Sequence, residues 1–404
     1  MKVIIKPSKA KGIIAAPPSK SMAHRMLICA GLSKGTSVIE NIEESQDILA
    51  TLDCLEVLGA EYKYENNTVT VKGVGYRDFN HLAILPCREC GSTLRFFIPI
   101  CLLNGRTFTL NGSERLLQRP LDVYEKMCIE RGLIFSNNGS CITVKGPLQS
   151  GDYTLAGDVS SQFISGLLFA LPQLEGDSRI RLTGKVESRS YIDLTVSALK
   201  EFGVTASWED ERTLFIKGNQ EYKAVKTKVE GDYSNGAFLD AFNLIGGDVT
   251  VTGLREDSIQ GDRVYKKHYE SLKNGSPVIS LGDCPDLGPV LFALAALKGG
   301  AVFTDTARLR IKESDRVAAM ADELAKVGIN IIAEENTVTI PKCRLTAPSE
   351  TFCGHNDHRI VMAMAVVSSV TGGEITEAQA VTKSFPDFFE RIKDAGIDVA
   401  KTED

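Results

Sequence analysis

Residues 52–73 read LDCLEVLGAEYKYENNTVTVKG, which is a helix, a glycine, a strand, a polar turn and a second strand. Asn66-Asn67 supplies the turn, because Asn tolerates the positive φ that a tight hairpin demands. The same order returns as VYEKMCIERGLIFSNNGSCITVKG from Val123, LTVSALKEFGVTASWEDERTLFIKG from Leu194 and MADELAKVGINIIAEENTVTIPK from Met320. A degraded copy surrounds Tyr265–Leu281. Recurrence at this scale marks one supersecondary unit used again and again, and it decides the fold.

Between these copies runs a second kind of helix, apolar almost throughout and opened by a small polar or acidic cluster. Six such helices begin at Ser21, Ser92, Ser160, Ser234, Asp286 and Asp357, each followed by Gly and a strand. Together the two kinds give a β-α-β-α-β-β unit of about 70 residues. The sixth copy is cut short after a helix beginning at Phe388, whereas Val3–Lys6 and Gly12–Ala16 are strands that precede any helix. The N-terminal strands are therefore expected to complete the sheet of the last repeat. The predicted fold is α/β, in two domains of three repeats each: residues 1–18 plus 230–404, and an inserted domain of residues 19–229. Crossings fall near Pro17-Pro18-Ser19 and Val229-Glu230-Gly231.

The most highly charged corner is Arg308-Leu309-Arg310-Ile311-Lys312-Glu313-Ser314-Asp315-Arg316. Its alternation reads as a strand with one apolar and one cationic face. From Ser314 onward Val317, Met320, Ala321, Leu324 and Val327 recur at helical spacing, with Gly328 as the C-cap. Glu313 and Asp315 stand at the helix entrance, where carboxylates suit the positive end of the dipole. The corner is either a charged strand end or a seat for an anionic, reacting substrate.

Composition narrows the choice. The 404 residues are 43% hydrophobic and 24% charged, with a net charge of -6. That length suits two domains, and a mildly acidic chain is a poor general binder of nucleic acid or anionic membrane. Attraction to anions must come from local clusters. The N-terminus lacks a signal-peptide pattern and no apolar run is long enough to span a bilayer, so a soluble cytoplasmic protein is expected. The ten cysteines have no framework spacing. Cys87-Arg88-Glu89-Cys90 is a single C-x-x-C without a second pair, and His355 and His358 have no evident third ligand, so no metal is expected.

Charged and hydrogen-bonding residues crowd the starts of the apolar helices. Lys20, Ser21 and Arg25 stand at the first; Gly91, Ser92 and Arg95 at the second; Ser160, Ser161 and Gln162 at the third. Asp286 opens the fifth, and Asp357, His358 and Arg359 the sixth; the fourth, Ser234-Asn235, carries no charge. Any one alone reads as an ordinary N-cap or a solvated arginine. Five together suggest anion seats built from unpaired N–H groups and dipoles. Further cations are Arg115 and Arg119 before Pro120, which reads as the first residue of a helix, and Lys383 before Ser384-Phe385-Pro386-Asp387. Tyr191 follows Ser188-Arg189-Ser190 at another helix entry.

Taken in combination, Pro18-Ser19-Lys20-Ser21 with Arg25, Gly91-Ser92-Thr93 with Arg95, Arg119-Pro120, Ser160-Ser161-Gln162, Ser188 with Tyr191-Ile192-Asp193, Pro285-Asp286, Lys312-Glu313-Ser314-Asp315-Arg316, Asn356-Asp357-His358-Arg359 and Lys383-Ser384-Phe385-Pro386-Asp387 resemble the 5-enolpyruvylshikimate-3-phosphate synthase family. The resemblance runs nearly end to end. It implies two inside-out α/β domains closing over a central cleft. It implies transfer of the enolpyruvyl group of phosphoenolpyruvate to the 5-hydroxyl of shikimate-3-phosphate, with phosphate released, in aromatic amino-acid biosynthesis. Neither cofactor nor metal is implied, and a monomer is expected. By position, shikimate-3-phosphate contacts would fall on Lys20, Ser21, Arg25, Ser160, Ser161, Gln162, Ser188, Tyr191, Asp286 and Lys312. Phosphoenolpyruvate contacts would fall on Lys20, Gly91, Arg119, Gln162, Arg316, Arg359 and Lys383. Asp286 would be the base for the hydroxyl, and Glu313 or Lys20 the proton source at C3. Gly91 is the residue type associated with room for glyphosate. Two positions depart from the pattern: Arg308 replaces an Asn found in one branch, and Cys90 replaces Ala or Ser. The sister UDP-N-acetylglucosamine enolpyruvyl transferases use a Cys in the loop before the residue equivalent to Arg119, and Ser113–Gln118 contains none. A non-catalytic or RNA-end-binding protein on the same repeats would be more basic.

Overall fold

The structure, a computed structural model, describes residues 1–80, 83–158 and 160–402. Among these residues five four-stranded sheets share one wiring. In the sheet around Ser178–Thr183, that strand runs parallel to Asp152–Ala156 and antiparallel to Thr213–Ile216. Thr213–Ile216 in turn forms a hairpin with Ala206–Trp208. The parallel pair embraces the apolar helix Ser161–Ala170, and the hairpin follows the amphipathic helix Arg189–Glu201. Five of the six predicted repeats are each one such sheet with its helices, while the fourth has a two-stranded sheet, Asp248–Thr252 with Lys11–Ala15.

The chain divides into two compact units, Met1–Pro17 with Gly231–Asp404, and Pro18–Glu230. In the last sheet of the first unit, Lys2–Lys6 lies between Gly373–Thr376 and Asp398–Thr402, antiparallel to both. It fills the place that a closing hairpin strand takes elsewhere. The second N-terminal strand behaves differently from the expectation. Lys11–Ala15 pairs parallel with Asp248–Thr252 of the fourth repeat, not with the last repeat. The reason lies at the other crossing, where Lys226–Lys228 pairs parallel with Thr36–Glu40 in its own unit. Asp248–Thr252 therefore takes its parallel partner from the N-terminus.

Burial explains the helices. Lys20–Leu32, Gly91–Cys101 and Ser161–Ala170 are buried along nearly their whole length, as are Tyr233–Leu244, Gly288–Lys298 and His358–Thr371 in the other unit. A helix apolar on all sides has no face to give to water and must be central. The strands alternate instead: in Thr68–Lys72, Val69 and Val71 are buried while Lys72 is exposed. Close helix packing is bought at Gly166, where a Cβ would lie 2.3 Å from the Tyr124 hydroxyl and 2.6 Å from the Arg95 carbonyl oxygen. That hydroxyl donates to the Arg95 carbonyl at 2.8 Å and the Phe163 carbonyl at 3.0 Å, which ties both helices to Asp122–Glu130. No helix among the described residues is long and apolar enough to cross a membrane.

The charged corner is not a strand. Ala301–Thr304 already pairs with Thr337–Ile340 and ends there; Asp305 then turns at φ +58°, and Ala307–Ile311 winds as a 3₁₀ helix. Leu309 is fully buried while Ile311 is 45% exposed, so the two apolar residues do not share a face. The helix that follows is Arg316–Ala325, two residues later than read, with Asp315 as the N-cap and Lys326 as the C-cap; Gly328, at φ +86°, lies beyond it.

Candidate active site

Several helix starts sit one or two residues from where the sequence set them, and the shifts change the chemistry. Ser19 caps Lys20–Leu32 through the Met22 amide, and the Cys90 thiol caps Gly91–Cys101 through the Thr93 amide. Asp232 caps Tyr233–Leu244, so the fourth start carries an acid after all. Pro120 is not a first helical residue: the helix there is Asp122–Glu130. Ser160 and Asp357 cap as read. Asp286 lies in the 3₁₀ turn Pro285–Leu287 ahead of Gly288–Lys298, and neither element receives a side-chain cap.

In the unit Met1–Pro17 with Gly231–Asp404, the structure gathers Asp286, Lys312, Glu313, Arg316 and Arg359. Arg316 is the hub, with its side chain 1% exposed. Its Nη1 donates to Asp286 at 2.9 Å, its Nη2 to Glu313 at 2.8 Å and its Nε to Asp357 at 2.9 Å. Ser314 donates to the same Asp357 carboxylate at 2.9 Å. Asp286 also meets Lys312 Nζ at 3.5 Å and Arg359 Nη2 at 3.3 Å. Burial pushes the Asp286 carboxyl upward, but the charges of Lys312, Arg359 and Arg316 outweigh it and hold the group well below the usual range. Lys312 is lowered, first by burial and then by the like charges of Arg308 and Arg316, against the pull of Asp286. Arg359 is buried, with Nε and Nη1 lacking any hydrogen-bond partner. Lys383 donates to the Asn356 carbonyl at 2.7 Å, which ties it to the segment that enters the Arg359 helix.

In the unit Pro18–Glu230, hydrogen bonds join the starts of four helices. Arg25 donates to the Ser21 carbonyl at 2.6 Å, the Tyr191 carbonyl at 2.9 Å, Thr195 Oγ1 at 2.8 Å and Ser165 Oγ at 3.5 Å. Burial lowers its guanidinium to about 10. Gln162 accepts from Arg95 Nη1 at 2.9 Å and donates to Ser92 at 2.8 Å. Ser160 and Ser161 adjoin Gln162 at that helix start. Ser188 sits at φ +53° ahead of Arg189–Glu201, with Tyr191 in the first turn. Arg119 reaches Gly91: a Cβ there would lie 2.4 Å from Arg119 Nη1, and Arg119 Nε has no hydrogen-bond partner. Lys20 is paired with Asp47 at 2.6 Å.

Sequence reasoning missed Asp47, Asp262 and the acidic role of Asp357. Asp47 is one acid in the first turn of Gln46–Leu58, and nothing in its local pattern marks it. Asp357 was visible only as a cap, yet its carboxylate also orients Arg316. Asp262 accepts from Ser234, and burial followed by the neighbouring Asp286 charge raises it to about 7.

The profile of EPSP synthase (3-phosphoshikimate 1-carboxyvinyltransferase) matches residues 4–392. The 3-phosphoshikimate 1-carboxyvinyltransferase of Clostridium kluyveri is 40% identical over 422 residues, covering 98% of this chain and 98% of that protein. That of Clostridium perfringens is 40% identical over 418 residues, with 98% of each chain covered. A solved EPSP synthase from Acinetobacter baumannii has the same fold at a TM-score of 0.79 and 23% identity, covering 99% of this chain and 100% of that one. With the profile spanning almost the whole sequence and relatives at this identity, the chain belongs to the EPSP synthase (3-phosphoshikimate 1-carboxyvinyltransferase) family.

Proposed function

We infer that the chain transfers the enolpyruvyl group of phosphoenolpyruvate to the 5-hydroxyl of shikimate-3-phosphate and releases phosphate. Family membership supports the reaction, and one observation supports its location. Arg359 is a buried guanidinium with two nitrogens, Nε and Nη1, unpaired, beside a carboxylate that three cations hold ionised. A buried donor left unpaired is costly unless an anion completes it, and a planar guanidinium fork matches a carboxylate or phosphate.

In this reading phosphoenolpyruvate takes Lys20, Gly91, Arg119, Gln162, Arg316, Arg359 and Lys383. Shikimate-3-phosphate takes Lys20, Ser21, Arg25, Ser160, Ser161, Gln162, Ser188 and Tyr191, with Asp286 and Lys312. Asp286 accepts the proton of the 5-hydroxyl as its oxygen attacks C2, and Glu313 or Lys20 delivers a proton to C3. The product keeps its double bond, so C3 returns that proton as phosphate leaves. A carboxylate gripped by cations is a weak base, because catalytic power needs a pKa nearer the working pH. Substrate anions resolve this by competing for Lys312 and Arg359, which lets Asp286 rise toward the range of a useful base when the site is occupied.

The test is phosphate release. Turnover is expected only with phosphoenolpyruvate and shikimate-3-phosphate together. Equal release without the acceptor, or with UDP-N-acetylglucosamine in its place, overturns the reading.

A further inference from the structure

One cluster of metal-ligating side chains is left unused by this reaction. His24, Asp47 and Cys90 come from three separate elements: the helix Lys20–Leu32, the helix Gln46–Leu58 and the cap of Gly91–Cys101. One ligand atom from each lies within 4.8 Å of the others, and all three residues are buried. Cys90 Sγ and His24 Nε2 are 3.9 Å apart. Zinc bonds of about 2.0–2.3 Å in a tetrahedral set put donor atoms roughly 3.5 Å apart. The three donors, within 4.8 Å of one another, need to close by up to about 1.3 Å to reach that spacing.

The imidazole is already oriented for such a role. His24 Nδ1 is 2.7 Å from Thr51 Oγ1, and Thr51 is 2.8 Å from Thr93 Oγ1. A hydroxyl held on Nδ1 leaves Nε2 on the Cys90 side, the arrangement that outer partners impose on metal-binding histidines. The alternative is plain packing, with Cys90 as a small buried hydrophobe and Asp47 as the counter-ion of Lys20. Packing alone does not call for thiol, imidazole and carboxylate to converge from three elements on one point.

We propose that His24, Asp47 and Cys90 bind a thiophilic divalent cation of the zinc class, and that its binding detaches Lys20 from Asp47. Sulfur with nitrogen selects zinc, cobalt or cadmium over magnesium or calcium. As the sulfur–metal bond forms, the Cys90 thiol proton leaves to solvent. The Asp47 carboxylate, now a metal ligand, no longer neutralises Lys20, and the added cation repels the ammonium. Loss of activity on metal binding is the consequence, and this last step rests on the function proposed above.

The experiment is a cobalt titration of the metal-free, fully reduced, full-length protein. One equivalent of Co²⁺ is expected to give a thiolate-to-cobalt charge-transfer band that Zn²⁺ removes. Cys90→Ser, which keeps a capping hydroxyl, should lose the band. Thr51→Val should weaken cobalt binding by about 10- to 100-fold. Cys343→Ser, at an exposed thiol, should change nothing. A band that survives in Cys90→Ser, or no stoichiometric band in the parent, overturns the site, whatever the protein catalyses. Thermal unfolding of each variant separates ligand loss from misfolding. Where turnover is present, Zn²⁺ should inhibit the parent and spare Cys90→Ser. Cobalt binding with uninhibited turnover would overturn the effect on Lys20.

Discussion

Asp286 is gripped by Lys312, Arg316 and Arg359 and makes no helix cap, so its substitution separates two accounts of the carboxylate. Asp286→Asn keeps hydrogen-bonding oxygen and shape but cannot take a proton. As the base, its loss should lower kcat by about 10²- to 10⁴-fold with a much smaller change in shikimate-3-phosphate affinity. Turnover within a few-fold of the parent would move the base to Glu313. Gly91 is a case of space, not conformation. An added Cβ meets Arg119 Nη1 at 2.4 Å and Cζ at 2.9 Å, and the long arginine arm will yield before the backbone does. Gly91→Ala should therefore lower kcat/KM for phosphoenolpyruvate by about 10- to 100-fold and weaken glyphosate, with little change in thermal stability; unaltered constants for both ligands would remove Gly91 from the site. His355 offers a pH test away from the chemistry. Its Nε2 is 2.8 Å from the buried Glu323, and that hydrogen bond, against partial burial, raises the imidazole above its ordinary 6.5. A raised folded pKa gives stability that is full below the unfolded value and fades as pH climbs through the folded one. The stability lost in His355→Gln should be largest near about pH 5 and shrink toward about pH 8. A loss that does not vary with pH would detach the imidazole charge from stability.

At the scale of elements, helices and hairpins were legible because their signals are local. Asn66 and Asn67 adopt φ of +50° and +56°, as their side chains allow, between Glu61–Glu65 and Thr68–Lys72. The wrong element was the one whose pattern was genuine but short: Leu309 and Ile311 alternate, yet no free strand edge remained beside Ala301–Thr304 to receive them. Helix starts slipped because a cap is chosen by backbone geometry, and Ser19, Cys90 and Asp232 were overlooked beside more familiar neighbours. Partnerships among cations and acids were legible only where the residues were close in sequence. Arg316 with Glu313 could be guessed, but Arg316 with Asp357, or Lys20 with Asp47, needs the packed helices. Asp315 makes a measurable case. Its carboxylate accepts from the Val317 and Ala318 amides at 3.1 and 3.0 Å, and it also lies 3.6 Å from Arg310. Asp315→Ala should destabilise by about 1 kcal/mol in chemical denaturation, while Asp315→Asn, which still caps, should cost only a few tenths. Equal losses in both variants would assign the stability to the ion pair with Arg310 instead of the cap.

At the scale of the molecule, the repeat count and the closure of the last sheet could be read from the surplus strands at the N-terminus, but the destination of Lys11–Ala15 could not. Parallel pairing leaves no hairpin signature, and the register of Lys11–Ala15 on Asp248–Thr252 is set by which strand each chain crossing leaves without a partner. This wiring makes the two units unequal as folding problems. Every sheet of Pro18–Glu230 is completed by strands from within it, including Lys226–Lys228 on Thr36–Glu40. The other unit depends on residues far away in sequence. Lys2–Lys6 carries two antiparallel ladders and places Val3 and Ile5, both essentially unexposed, in the core. Without it, a segment starting at Gly231 would leave two strand edges unpaired and an apolar sheet face uncovered, each unfavourable in water. A fragment of residues 18–230 is therefore expected to fold alone, with one cooperative denaturant transition. A fragment of residues 231–404 should stay unfolded or aggregate until a peptide of residues 1–17 is supplied. With that peptide, its backbone amides at Gly373–Thr376 and Asp398–Thr402 should gain protection from hydrogen exchange, because those strands flank Lys2–Lys6. Cooperative folding of 231–404 without the peptide would mean that the core of this unit is sufficient and that the N-terminal strand only decorates it.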